Sequence, residues 1–205
     1  MGDINTRAYN MQLRSKAMAL NRKAQSVGGK LQSLAERVAS KYGGRVTPIN
    51  YKSVDSIVRK VSSENISIKD VKDSYRTTII ASKRQIPKII RELSEGKFSD
   101  FTFLKHKAQN FNTGYTGNII NFKNKRTGLV GEIQVNTPKM IYAKENLSTA
   151  YKILGKETMI KVFNETKMPS GWGHALYEKS RVGKSEDSKR WRAISLQQGY
   201  YSKFQ

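Results

Sequence analysis

The sequence has no cysteine, which excludes disulfides and thiolate metal sites and leaves the redox compartment open. Acidic residues are scarce: 16 Asp and Glu against 38 Lys and Arg give a net charge of +22 over 205 residues. A bias of that size favours a polyanionic partner (nucleic acid, nucleotide, anionic membrane or acidic protein) without choosing among them. With two histidines and no cysteine, a soft-metal enzyme is disfavoured, and any metal is expected to be a hard cation held by carboxylates and phosphates, which points to Mg2+. No apolar run approaches the roughly 20 residues needed to cross a bilayer. The N-terminal MGDINTRAYNMQLRSKA lacks the hydrophobic stretch of a signal peptide. These absences predict a cytoplasmic protein with no membrane association, or a domain of a longer protein that supplies its own delivery. A phosphate loop of the G-x-x-x-x-G-K-[ST] type, H-E-x-x-H and G-x-S-x-G are all missing.

What is present suffices for an ordinary core: 37% hydrophobic residues, with ten Tyr, seven Phe and two Trp. Residues 8–41 read as helical, with Leu31, Leu34, Ala35 and Val38 on one stripe and Gly28-Gly29 marking a break between two helices. RVTPINYK (45–52) is a short strand that Pro48 confines to an edge or a strand end, and SVDSIVRKVSSE (53–64) is a helix. SYRTTIIAS (74–82) is a strand and QIPKIIRELSEG (85–96) an amphipathic helix. Three strands follow, over 101–110, 117–125 and 129–137, the last two joined by a turn at Arg126-Thr127-Gly128. After Pro138 the pattern is one helix through KMIYAKENLSTAYKIL, and from Met168 it has no clean period. The predicted class is α+β, a mixed β-sheet flanked by helices with helical N- and C-terminal extensions.

Three stretches carry chemistry. In KSVDSIVRK, Lys52, Ser56 and Lys60 recur every four residues, so cations and a hydroxyl converge with Arg59 near a helix N-terminus, a cluster suited to a triphosphate. In KDVKDSYRTTI, Asp70 and Asp73 precede a strand beside Arg76; taken alone, an ion pair or a helix cap is the better reading. In NTGYTGN, a turn accounts for the glycines, while Tyr115 held in a tight loop can stack on a purine base. Period-two alternation in GEIQVNT puts Glu132, Gln134 and Asn136 on one face of a strand and Ile133 and Val135 on the other. His174 and Glu178, four apart, lack a third metal ligand, and a structural hydrogen bond is the better reading.

Taken together, KSVDSIVRK, Asp73 and Arg76 before TTI, GYTG, and GEIQVNTPKM resemble the synthetase domain of the RelA/SpoT family, in the family's own order, over roughly residues 35 to 145. The resemblance implies a nucleotidyltransferase-like sheet and transfer of the β,γ-diphosphate of ATP to a ribose 3′-hydroxyl. It implies a core at 42–145 between a basic helical extension at 1–41 and a helical, basic extension at 146–205. By position Asp73 and Glu132 are the metal ligands for Mg2+, with Glu132 holding metal or polarising the 3′-hydroxyl and Gln134 supporting it. Lys52, Ser56, Arg59, Lys60 and Arg76 bind the ATP phosphates; Tyr115, Gly114 and Asn118 contact the acceptor. The chain departs from the family at Ile119, where a histidine is usual, and at Asn50, where an arginine is common. The family includes regulated alarmone synthetases and toxins, with a guanine nucleotide, an adenine nucleotide or the 3′ end of tRNA as acceptor. The expected partners are therefore ATP, a purine nucleotide or tRNA, and an acidic immunity or antitoxin protein. A degenerate RNA-binding module is the non-enzymatic alternative. The retained Asp73, Glu132 and Gln134 argue against it, because carboxylates facing phosphate do nothing for RNA affinity.

Overall fold

The computed structural model describes residues 2–108, 113–181 and 188–205. The chain divides into two compact units. The first comprises residues up to Ile79 with Lys88–His106 and Ile119–Gln134; the second comprises Ile80–Pro87, Lys107–Asn118 and Val135–Gln205.

The first unit is built on helix α1 (Gly2–Ser40), which runs unbroken through Gly28-Gly29. The expected break is absent because Gly28 serves packing: a Cβ there would lie 2.4 Å from the Tyr51 hydroxyl oxygen. Leu13 and Ala17 bury against Ile57 and Val61 of α2 (Val54–Glu64) and against Val71. The helix α2 starts where Ser53 accepts from the Ser56 amide and ends at Asn65 in the left-handed region. The segment 45–52 forms two short strands rather than one, β1 (Arg45–Val46) and β2 (Asn50–Tyr51), divided around Pro48, which has no amide to donate.

Strands β3 (Tyr75–Ile80), β4 (Phe101–Lys107), β5 (Asn118–Asn124) and β6 (Val130–Asn136) complete a sheet of order β1-β3-β6-β5-β4, with β2 also on β3. Gln109 and Asn110 of the strand expected over 101–110 lie outside the described residues. Strand β2 is antiparallel to β3, Asn50 opposite Arg76. Strands β3 and β6 run parallel: Tyr75 packs on Gly131 near their starts, and the Ala81 amide donates to the Asn136 carbonyl past their ends, at 3.0 Å. The sheet is therefore mixed, as the sequence predicts. Helix α3 (Ile86–Glu95) buries Ile89 and Leu93, and the Phe122 ring is met edge-on by Phe98, Phe101 and Phe103.

The second unit holds the remaining helices. The stretch after Pro138 is two helices, not one. Helix α4 (Pro138–Lys144) is capped by Thr137, and α5 (Leu147–Thr166) by Asn146, whose side chain accepts from the Thr149 amide and so begins a new helix. The residues beyond Met168 form α6 (Trp172–Arg181) and α7 (Ser188–Ser202). Their period is obscured because Trp172, Trp191 and Leu196 are exposed while polar Gln197 is buried. Tyr142, Met159, Tyr200, Tyr201 and Phe204 form the core, in which the Tyr200 hydroxyl donates to the carbonyls of Pro169 and Ala143. Among the described residues no helix is long and apolar enough to cross a membrane.

Two glycines test this packing. A Cβ at Gly131 would sit 2.4 Å from the ring of Tyr75, which is 0% exposed and cannot yield, whereas Gly29 meets nothing within 4 Å. In thermal melts Gly131→Ala is expected to destabilise by about 1–3 kcal/mol, and Gly29→Ala to stabilise by up to about 1 kcal/mol.

Candidate active site

The first unit gathers one carboxylate and two ammonium groups. Lys52, just past β2, reaches Asp73 Oδ2 at 2.9 Å, and Lys60, on α2, reaches Oδ1 at 2.8 Å. The backbone fixes Lys52 twice: its amide donates to the Ser74 carbonyl at 3.0 Å, and its carbonyl accepts from the Asn21 side chain at 2.8 Å. All three side chains are largely withdrawn from water, with Asp73 16% exposed. Burial pushes the Asp73 carboxyl upward, but the two ammonium groups together outweigh it and hold the group below its ordinary value.

Of the other phosphate-binding candidates, Ser56 is engaged at the helix cap, where the Ser53 hydroxyl donates to it at 2.9 Å. Arg59 is exposed on α2, and Arg76 is half-buried on β3. The spacing of four brings Lys52 and Lys60 together on Asp73; it does not add Ser56 or Arg59 to that ion-pair cluster.

Glu132 and Gln134 share a face of β6, as alternation requires, and Gln134 Nε2 donates to Glu132 Oε1 at 2.6 Å. Both are buried, as are Ile133 and Val135 on the opposite face, and β6 has strand neighbours on both edges, β3 and β5. Glu132 keeps 8% exposure, and its carboxylate is sustained by the hydrogen bond from Gln134. Asp73 lies two residues before β3, the strand next to β6. A hard divalent cation takes one or two carboxylates and completes its shell with water and substrate phosphate, and Asp73 and Glu132 are the carboxylates of that donor type here. No group of three or more His, Asp or Glu gathers among the described residues, so the fit depends on a substrate's oxygens. His174 and Glu178 stand 3.9 Å apart and mostly exposed, a weak pair of no metal-binding character.

In the second unit, Gly114 adopts the left-handed region (φ +72) against Gln198 and Tyr201 of α7, and its carbonyl accepts from Gln205 at 3.2 Å. Asn112 of the same sequence stretch lies outside the described residues. Tyr115 is half-buried. Its hydroxyl donates to Asn136 Oδ1 at 3.0 Å, the Tyr201 ring meets its edge at 5.6 Å, and the Lys144 ammonium lies 5.8 Å from its centroid. Asn118 is buried at the start of β5. Sequence reasoning gave no role to Asn136, Lys144 or Tyr201. Only Asn136 had a signal, its place on the polar face of β6.

No family model matches the chain. The (p)ppApp synthetase toxin Tas1 of Pseudomonas aeruginosa is 31% identical over 170 residues, 82% of this chain and 38% of the toxin. The chain therefore spans well under half the length of that relative. The crystal structure of the Type VI effector Tas1 with its immunity protein superposes with a TM-score of 0.75 at 28% identity, covering 95% of both chains. Small alarmone synthetase 1 of Bacillus subtilis, bound to its product pppGpp, shares the fold: TM-score 0.52 at 16% identity, covering 87% of this chain and 89% of that one.

The Asp73 cluster makes a pH prediction. Because the folded carboxyl titrates below the ordinary value of 3.8, its contribution to stability is present above that value and is lost as pH falls through the lower folded one. Asp73→Asn should lower stability at neutral pH by about 1–3 kcal/mol by stranding two ammonium groups. In denaturant titrations the gap to wild type is expected to narrow only as the medium falls below pH 3.8.

Proposed function

We propose that this chain, a RelA/SpoT-type synthetase domain by homology and by fold, transfers the β,γ-diphosphate of ATP to the 3′-hydroxyl of an adenine nucleotide. The observation that carries the donor half is the Asp73 carboxylate clasped between Lys52 and Lys60. Two ammonium groups, only half neutralised by one carboxylate, are held in place without substrate. A triphosphate brings more negative charge than that carboxylate, so Lys52 and Lys60 transfer to phosphate oxygens and release Asp73. Asp73 and Glu132 would then hold a divalent cation, Mg2+ by donor type, which supplies neutralisation of the charge on the triphosphate. Ser56 and Arg59 on α2 and Arg76 on β3 would add contacts to the donor phosphates.

Glu132, aligned by Gln134, polarises the acceptor hydroxyl and receives its proton. The 3′-oxygen forms a bond to the β-phosphorus of ATP, the bond from that phosphorus to the α,β-bridging oxygen breaks, and AMP leaves with the oxygen. Tyr115, beside Gly114 and Asn118, offers its ring to the acceptor base. The adenine assignment is supported by the 31% identity to a (p)ppApp synthetase toxin.

Biologically, we read the chain as a toxin domain that spends ATP in the cytoplasm of a target cell. The relative's complex with an immunity protein supports this, and the net charge of +22 supports an acidic inhibitor for this chain too. The same charge is what favours tRNA as the alternative acceptor.

ATP labelled at the γ-phosphate, incubated with Mg2+ and in turn with AMP, ADP, GDP, GTP or bulk tRNA, tests the reading. Label is expected in an adenine nucleotide bearing a 3′-diphosphate. Label on tRNA or guanine nucleotides alone overturns the acceptor, and no transfer overturns the enzyme. Glu132→Gln should abolish transfer with an unchanged melting temperature. Lys60→Ala should raise the KM for ATP on the order of 10- to 100-fold, and the acceptor KM far less.

A further inference from the structure

We propose that Asn136 is a positioning residue of the acceptor site, fixing the angle of the Tyr115 ring through the hydroxyl hydrogen bond and thereby setting acceptor affinity. The inference rests on the proposed role of Tyr115. It deepens that role by assigning a function to a residue that takes no part in the chemistry described above.

Asn136 is 1% exposed at the end of β6, with its backbone carbonyl engaged by the Ala81 amide at 3.0 Å. Its Oδ1 accepts from Tyr115 at 3.0 Å, while its Nδ2 is buried with no hydrogen-bond partner. A buried amide that leaves its donor unsatisfied costs stability, so burial alone does not explain an amide here. The acceptor oxygen does: it anchors a loop tyrosine to a strand.

The surroundings are shaped for that one contact. A Cβ at Gly117 would lie 2.2 Å from both Asn136 Oδ1 and the Tyr115 ring, so only glycine leaves room for the pair. The Tyr201 ring holds the edge of Tyr115 at 5.6 Å. A ring already oriented surrenders less rotamer freedom when a base stacks on it, which lowers acceptor KM without touching the chemical step.

The test measures kcat and both KM values with ADP or AMP as acceptor for Asn136→Leu, Asn136→Asp, Tyr115→Phe, Tyr115→Ala and the Asn136→Leu/Tyr115→Phe double variant. Asn136→Leu and Tyr115→Phe should each raise acceptor KM roughly 2- to 10-fold, with ATP KM and kcat nearly unchanged. The double variant should be no worse than either single one, because both remove the same bond. Asn136→Asp keeps an accepting oxygen for the Tyr115 hydroxyl, replacing the unpartnered nitrogen with a second carboxylate oxygen whose burial costs stability, so acceptor KM should stay nearer wild type than in Asn136→Leu. Additive losses, an Asp variant as poor as Leu, or a fall in kcat at constant KM would overturn the proposal. Should Asn136→Leu fail to fold, Tyr115→Phe alone decides it, since a wild-type acceptor KM there removes the bond from the account. If Tyr115→Ala leaves acceptor KM unchanged, the role of Tyr115 itself is wrong. If Tyr115→Ala raises it while Tyr115→Phe and Asn136→Leu do not, only the positioning inference falls.

Discussion

A single carboxylate between two ammonium groups organises the donor half of this protein. Asp73 stands where the chain enters β3, Lys52 where it leaves β2, and Lys60 two turns into α2, so their contacts pin three elements to one point. An isolated carboxylate so far withdrawn from water would be costly, and an isolated pair of close ammonium groups in a chain of +22 charge more so. Together they offset one another. Exposed ion pairs elsewhere, such as Arg14 with Asp55, are screened and contribute little by comparison. The same balance makes the cluster responsive, because a polyanion competes for the lysines on better terms than the carboxylate holding them.

Strand β6 imposes the second constraint. It lies between β3 and β5 with both faces buried, yet carries Glu132, Gln134 and Asn136 at alternate positions. Polar groups in such a strand persist only if each is given a partner. Glu132 has Gln134, and Asn136 has the Tyr115 hydroxyl. Ile133 and Val135 supply the apolar side, so one run of residues serves as core on one face and as a line of functional groups on the other.

Much of this was legible in sequence because it rests on local period. The strand over 74–82 follows from its β-branched residues, the turn at Arg126-Thr127-Gly128 from its place between two strands, and the helix over 53–64 and the shared face of Glu132 and Gln134 from spacing. So does the convergence of Lys52 and Lys60. What escaped depends on contacts between residues distant in sequence. Gly28 looks like a helix breaker until the Tyr51 ring is placed against it. The role of Asn136 depends on a tyrosine 21 residues away. Helices α6 and α7 hide their period because exposed Trp172 and Trp191 invert the usual sidedness. The split between α4 and α5 is marked in sequence by Asn146, a residue type that caps helix starts.

The claim that Asp73 exchanges its lysine partners for a metal when the triphosphate binds is tested most directly by binding rather than turnover. A non-hydrolysable ATP analogue, titrated calorimetrically into wild type and Asp73→Asn with and without Mg2+, separates the two partners of the carboxylate. The account predicts that wild type binds the analogue much more tightly with Mg2+ than without it. It also predicts that Asp73→Asn loses most of that difference while still binding the metal-free analogue through Lys52 and Lys60. Equal affinity with and without metal in wild type, or an undiminished metal effect in Asp73→Asn, would contradict it.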